Sequence, residues 1–380
     1  ALFWWFISPN DDEDFDIWSV DLKRHFLGKF SMAVCQANEE LEDRSQIEAG
    51  KHATFVGIYD GHGGRQAANY VLNNLFKHFI EHIIRAKVMS EPAIRHAIAV
   101  TEQGFIEAVR GHVETQPHIA SVGCCCVIAV IWRSRLYVAN LGNSQAVIAH
   151  RRPSDGNTMH AEPLTFVHHI DELQTRTDLF DDQPSEITPV DGVYPIRNRI
   201  QVSRSIGDAY LKYPELAVPD LPIKKPVLTA EPTRVKRALR QADKFLIFAS
   251  SGLWDHFSLE EAVEFVRTHC AKGIAKKLVK EAQKRAAEKV GMTYEQVKTA
   301  VVGQEKRQIH NDITVVVIFL DHKLLKEERR GPGRFSLCRA PPPQLDESII
   351  GFSNQTSQSL FHRFTWPPNA GSAFHSSFTY

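Results

Sequence analysis

The chain has 380 residues, 43% hydrophobic and 24% charged, which is the make-up of a soluble globular protein with one large domain or two medium ones. Its formal net charge is +0, so no broad electrostatic hold on nucleic acid or on an anionic membrane is implied. Six cysteines without a C-x-x-C pair argue against a disulfide framework and against zinc, and place the chain in a reducing, intracellular compartment, cytoplasm or nucleus.

The apolar start, Ala1 to Ile7, is too short to span a bilayer, and no other stretch reaches that length. It lacks an initiator Met, as a fragment or a processed start would. Residues 8 to 17 are acidic and polar, and residues 1–20 are expected to form a loose lead-in. Lys29 to Cys35 is expected to be a strand, followed by a polar stretch through Asp43 and a second strand, Phe55 to Asp60. Two amphipathic helices come next. The first, 65 to 85, carries Val71, Leu72, Leu75, Phe79 and Ile83 on one stripe. The second opens at Glu91-Pro92, with proline in the first turn.

Gly123 to Ile131 is continuously apolar, as in a strand buried on both faces. Leu136 to Gly142 and Gln145 to His150 are expected to form a hairpin around Gly142-Asn143, with a loop at 151 to 163. A short helix is expected at 170 to 177, with His168 and His169 before it on the surface. Arg199 to Arg204 is expected as a strand and Ser205 to Asp208 as a turn. Lys244 to Ser250 is another buried strand. Helices follow near 259–269 and 272–289, then a short one capped by Thr293 and Gln296, and Ile313 to Leu320 closes the domain. Beyond 322 the composition turns to Gly-Pro-Gly, Pro-Pro-Pro and Ser/Asn/Gln/Thr, so 323–380 is expected to be a tail without regular structure.

Several of these strands end at acidic residues far apart in sequence. Strand ends along one sheet edge can converge. Carboxylates and a backbone carbonyl without cysteine suit a hard cation, Mg²⁺ or Mn²⁺. A pair of such cations can hold hydroxide for in-line attack on phosphate. The centre of this pattern is Asp60-Gly61-His62-Gly63-Gly64, which by itself is equally well an Asp-Gly turn from strand to helix. Adjacent acids such as Glu42 and Asp43 are, taken alone, most often just solvated.

The motifs in order are Leu41-Glu42-Asp43, Tyr59-Asp60-Gly61-His62-Gly63-Gly64, Ala139 to Gly142, Ser203 to Asp208, Phe248-Ala249-Ser250 with Gly252 to Asp255, and Asp312 to Val317. Together they resemble the metal-dependent protein serine/threonine phosphatases of type 2C over about residues 21–322, and Gln36-Ala37-Asn38 and Ser45 to Glu48 resemble a plant group of that family. The resemblance implies an α+β fold, a four-layer sandwich of two antiparallel β-sheets flanked by helix pairs. It implies two Mg²⁺ or Mn²⁺ ions in the cleft and phosphoprotein substrates, with no nucleic acid, no membrane span and a monomer. Asp60 would bridge the metals, Gly61 would offer its carbonyl, and Glu42 and Asp43 would hold metal-bound waters. His62 would be the general acid, Asp255 an outer metal group, and Asp208 a cleft residue. Asn38 stands where many relatives carry a phosphate-binding basic residue.

Three positions depart from the pattern, and all belong to the metal cluster. Asn143 replaces the aspartate of Gly-Asp-Ser, Ser251 that of Ser-Asp-Gly, and Asn311 the aspartate before Asp312. Each removes a charge facing a dication, which forfeits several kcal/mol even at an effective dielectric of about 20. The first metal keeps only Asp60 as a direct carboxylate. Two expectations follow: a phosphatase with weakened activity, or a pseudophosphatase that binds phosphoproteins or kinases without hydrolysis.

Overall fold

The computed structural model describes residues 16–50, 53–86, 89–152, 154, 156, 158–169, 200–219, 222–326 and 336–340. The strands are β1 Ile17–His25, β2 Gly28–Cys35, β3 Arg44–Ala49, β4 Ala53–His62, β5 Gly123–Trp132, β6 Arg135–Leu141, β7 Gln145–Arg151, β8 Met159–Pro163, β9 Ile206–Gly207, β10 Thr233–Ala238, β11 Asp243–Ala249, β12 Ile313–Leu320 and β13 Ser336–Ala340. The helices are α1 Gln66–Ala86, α2 Glu91–His112, α3 Ser251–Trp254, α4 Leu259–Thr268, α5 Ile274–Lys289, α6 Tyr294–Thr299, α7 Lys306–Ile309 and α8 His322–Lys326.

The strands form two sheets. One runs β1-β2-β12-β11-β7-β8. The other runs β10-β6-β5-β4-β3-β13, with β9 paired to β5. Every strand pairing is antiparallel. The sheets face each other across one apolar layer, where Phe30, Met32 and Phe248 of the first meet Val56, Ile58 and Val127 of the second. Alternation along each strand sends the next residue outward to a helix pair. Phe55 and Tyr59 pack under α1 and α2 with Phe76, Phe79 and Phe105. Ile247, Val315 and Val317 pack under α4 and α5 with Val263 and Leu278. Helix pair, sheet, sheet, helix pair is the four-layer α+β arrangement.

Capping boxes hold two of the helices on the second of these outer layers. One is Thr293 with Gln296 at α6. The other is Ser258 with Glu261 at α4.

Several local expectations give way. The expected lead-in ends at Asp16, because β1 begins at Ile17 and pairs with β2 from Ile17↔Cys35 to His25↔Gly28, with a bulge between Val20 and Lys23. The expected hairpin at Gly142-Asn143 is a crossover: β6 lies in one sheet and β7 in the other. Two apolar segments joined by a short turn can pair with each other or part into stacked layers, and local sequence does not distinguish the cases. The expected loop at 151–163 contains β8, paired to β7 from Val147↔Pro163 to Arg151↔Met159. The expected strand at 199–204 is reduced, among its described residues, to isolated bridges at Val202 and Arg204, and the regular pairing falls on Ile206–Gly207 within the expected turn. The expected helix at 170–177 lies outside the described residues. Within the tail expected to lack regular structure, α8 spans the boundary and β13 pairs antiparallel with the edge of β3. Among the described residues no helix is long and apolar enough to cross a membrane.

Candidate metal and phosphate site

Strand ends from both sheets meet at one end of the sandwich, among them the exits of β2, β4 and β11 and the entries of β3, β5, β7 and β12, as the register Asp60↔Cys125, Arg44↔Tyr59, Ala249↔Gln145, Ala249↔Val315 and Ile313↔Cys35 requires. Asp60 sits partly buried near the end of β4. Gly61 follows with no room for a side chain: a Cβ there would lie 2.6 Å from the Glu42 carbonyl oxygen. This close approach ties the 41–43 segment to the strand end.

Asp60 Oδ2 accepts two protein hydrogen bonds. The Ser144 hydroxyl donates at 2.9 Å and the Ser251 backbone N–H, in the first turn of α3, at 2.8 Å. Asn143 is next to the first donor, and Ser251 is the second. The positions that lack carboxylates therefore flank hydrogen bonds that satisfy the carboxylate from the protein side. Asn311 Nδ2 donates to Asp255 Oδ2 at 3.4 Å at the exposed rim. Among the described residues no three His, Cys, Asp or Glu side chains are arranged to hold a metal ion. The residues present do not fit a two-metal centre.

Glu42 and Asp43 stand beside this group in different settings. Asp43 is 1% exposed and accepts from the Thr314 hydroxyl at 2.7 Å. Burial, then the charges of Asp60 and Asp312, push its carboxyl well above the usual range. Glu42 is half-buried, and burial followed by the Asp312 charge raises it as well. Asp312 has another task. Its Oδ1 accepts the backbone N–H groups of Ala37 and Asn38 at 2.7 and 2.9 Å, and its Oδ2 accepts that of Glu42 at 2.8 Å. It shapes the 36–43 loop from underneath and turns no oxygen to the cleft through these bonds. Asn38 is half-buried within that loop, and its carbonyl accepts from Gln36 Nε2 at 3.0 Å.

On its other side the cleft carries a histidine–aspartate pair. His62 Nε2 lies 2.8 Å from Asp208 Oδ2, with the imidazole 32% exposed and the carboxylate 1%. Burial works against the imidazolium, but the charge and hydrogen bond of Asp208 more than offset it and hold His62 well above the ordinary histidine range. Asp208 is fixed in turn: its backbone is left-handed at φ 49°, and it accepts from the Ser205 hydroxyl at 2.5 Å. A buried pair, Lys212 Nζ to Glu102 Oε1 at 2.7 Å, holds the same turn through the Gly207 N–H and the Ser205 carbonyl.

Some contributors were not visible as motifs. Gly123 faces His62 across β5, and a Cβ there would sit 2.2 Å from Asp208 Oδ2 and 2.3 Å from His62 Nε2. The acid pair exists because that position is glycine. Only the strand register reveals it. Ser144 and Thr314 were inside recognised motifs, but hydroxyls are too common to single out. His168, expected on the surface, is 1% exposed, and its Nδ1 accepts the Gly142 N–H at 3.2 Å. Burial, then the nearby Arg204 charge, lowers its pKa to about 3.

A family model described as "Protein phosphatase 2C" matches residues 28–291. "Probable protein phosphatase 2C 43" of Oryza sativa subsp. japonica is 44% identical over 331 residues, covering 84% of each chain. "Probable protein phosphatase 2C 68" of Arabidopsis thaliana is 42% identical over 361 residues, 92% of this chain and 88% of that protein. Among solved structures, the serine-threonine phosphatase 2C from Toxoplasma gondii aligns with a TM-score of 0.54 at 16% identity, over 80% of this chain and 99% of that one. At that identity the structure speaks for the fold.

Proposed function

The chain belongs to the protein phosphatase 2C family, in a group similar to plant members, and from that premise we propose that it is a serine/threonine phosphatase with weakened metal-dependent turnover. The family is Mg²⁺- or Mn²⁺-dependent, and its substrates are phosphoproteins. The observation that carries the reading is the state of Asp60. Its Oδ2 faces the Ser144 hydroxyl and the Ser251 N–H, and the residues that should bring further negative charge are Ser251 and Asn311. A dication placed there meets one direct carboxylate where two metals would need several.

What this chain's own residues still offer is proton chemistry. His62, kept charged by Asp208 and partly exposed, can protonate the oxygen that leaves a phosphoserine or phosphothreonine. That half of the reaction keeps its geometry, while the half that would activate water keeps Asp60 but carries Asn143, Ser251 and Asn311 where the family pattern has carboxylates.

A second reading rests on the same three departures, Asn143, Ser251 and Asn311. It is a pseudophosphatase that binds phosphoproteins or their kinases without hydrolysis. Calorimetric titration with Mn²⁺, paired with phosphopeptide hydrolysis in millimolar Mn²⁺, separates the two. Weak Mn²⁺ binding with slow turnover supports the first reading. Absent binding and turnover select the second. Fast, saturable Mn²⁺-dependent hydrolysis overturns both.

A further inference from the structure

The end of the sheet opposite the site carries a concavity that the reaction does not use. A cavity of about 520 Å³ is lined by His150, Arg151 and Arg152 at the end of β7, by Ala161, Glu162 and Pro163 of β8, and by Arg240 and Ala242 of the β10–β11 turn. β7 starts beside Ser144 and ends at Arg151. At roughly 3.4 Å per residue its length puts the cavity about 20 Å from Asp60's neighbours. It is a separate place on the molecule.

Its charge is unbalanced. Of the two carboxylates of this wall, Asp243 is engaged, with Arg237 holding both of its oxygens at 3.0 and 3.1 Å, and Glu162, which lines the cavity, pairs with Arg237 at 2.9 Å while its side chain stays 43% exposed. Asp243 also accepts the Arg240 backbone N–H at 2.6 Å. The guanidiniums of Arg151, Arg152 and Arg240 are exposed, and no described carboxylate pairs with them. Elsewhere Arg95, Arg110 and Arg267 have acidic partners, while Arg24 and Arg234 have none among the described residues; what sets this wall apart is that three such arginines line one hollow. Three unpaired guanidinium forks around one hollow cost mutual repulsion, which an anion with several acceptor oxygens would relieve.

We infer that this cavity is a docking site for the phosphate of a phosphorylated peptide, distinct from the place where a phosphate would be hydrolysed. A phosphomonoester carries about −1.5 to −2 charges and three acceptor oxygens, which matches several guanidiniums better than a carboxylate does. The cavity is much larger than a phosphate, so the group arrives on something. The one ring in its lining, His150, lies against His160 with centroids 5.7 Å apart, whereas Ala161, Pro163 and Ala242 leave a low apolar floor for a peptide chain. A docked phosphate here would tether a multiply phosphorylated protein while another phosphate visits the cleft. This goes beyond the reading of the cleft and does not depend on whether turnover is weak or absent.

The test uses the full chain in EDTA, where the peptide stays intact. The probes are an alanine-flanked phosphoserine hexapeptide, its unphosphorylated twin and inorganic pyrophosphate. The phosphopeptide is expected to bind at least about tenfold more tightly than the twin, with affinity falling as salt rises. Charge reversal at all three positions, R151E/R152E/R240E, is expected to remove that difference. Amide-exchange protection on the wild-type chain at 150–152 and 240–242 gives a reading that does not depend on the variant folding. Pyrophosphate competing with the phosphopeptide supports the phosphate as the recognised group. Equal affinity for both peptides, unchanged binding by the variant, or protection confined to other segments would each overturn the inference. Hydrolysis of a small aryl phosphate, measured in parallel with Mn²⁺, should be the same in variant and wild type, so failure of the docking site and failure of the cleft reading appear in different assays.

Discussion

The two sheets bring different chemistry to the same cleft. From the sheet built on β3, β4 and β5 come Glu42, Asp43, Asp60, His62 and Asp208, all of them acids or acid-paired, with Gly61 and Gly123 shaped to hold them. From the sheet built on β7, β11 and β12 come Asn143 at its entry, Ser251 and Asn311, the positions where the resemblance implies carboxylates. Yet the packing under the two sheets is equally complete: Tyr59, Phe55 and Phe105 on one side and Ile247, Val315 and Val317 on the other are 0% exposed. Fold and site are thus separable here. Side chains at strand ends contribute little to the apolar layers, so one wall can lose its charge while the sandwich stays whole.

The one acid that the depleted wall retains in full burial, Asp312, tests this separation most severely. Three backbone N–H groups rely on its carboxylate. Asp312→Ala leaves them without an acceptor at a position 3% exposed, and the expected loss is about 3–5 kcal/mol in urea unfolding. The neighbouring Asn311→Ala should lose less than about 1 kcal/mol, because its side-chain bond is long and exposed. Similar losses for both would break the distinction between an acid kept for structure and a position given up by the site.

Where the sheets meet, pH should act on the fold rather than on either wall. His25 at the end of β1 is 3% exposed. Its Nε2 lies 3.0 Å from the Phe319 carbonyl, and its Nδ1 3.4 Å from the Thr54 hydroxyl of the other sheet. Burial lowers its pKa to about 4. Between about 6.5 and 4 the unfolded chain binds this proton and the folded chain does not, so stability falls as pH falls through that window, by about 3 kcal/mol at pH 4. His25→Gln should flatten this part of the stability–pH curve. An unchanged curve would show that the junction of the sheets opens to water more easily than its burial suggests.

Recharging the depleted wall asks whether ligands are all that it lacks. At an effective dielectric of about 20, unit charges 4 Å apart interact by about 4 kcal/mol, and a dication doubles that. Dehydration of the ion offsets most of it. Ser251→Asp with Asn311→Asp is expected to tighten Mn²⁺ binding by roughly 100-fold and to raise phosphopeptide hydrolysis with it. Tighter binding without faster hydrolysis would place a further defect in the cleft, with the Ser144 and Ser251 bonds to Asp60 as the first suspects.

Legibility divides along similar lines. Long apolar strands and the stripes of α1 and α2 could be located from periodicity, because burial leaves a repeating mark in the sequence. Spacing of the motifs around Asp60 and Asp208 also showed. What did not show depends on partners distant in sequence. β8 is a strand only because β7 offers it an edge, and Gly142-Asn143 joins two sheets rather than two strands of one. Gly123 matters because register sets it opposite His62, and His168 is buried because the Gly142 N–H needs its ring. Each is a long-range fact carried by a residue that is locally unremarkable.

The smallest effect bears on the helices over the depleted wall. Ser258 caps α4 by accepting the Glu261 N–H at 3.1 Å, while Glu261 Oε2 accepts the Ser258 N–H at 2.8 Å. Removing the hydroxyl with Ser258→Ala should cost about 1 kcal/mol, seen as a small fall in the urea midpoint with an unchanged slope. Because α4 packs against the sheet through Ala262, Val263 and Val266 and makes no hydrogen bond to Asp60 or Ser251 among the described residues, Mn²⁺ affinity and hydrolysis should not move. If this variant altered either, the helix layer and the strand ends would be coupled, and the missing carboxylates could no longer be treated as a change confined to the cleft.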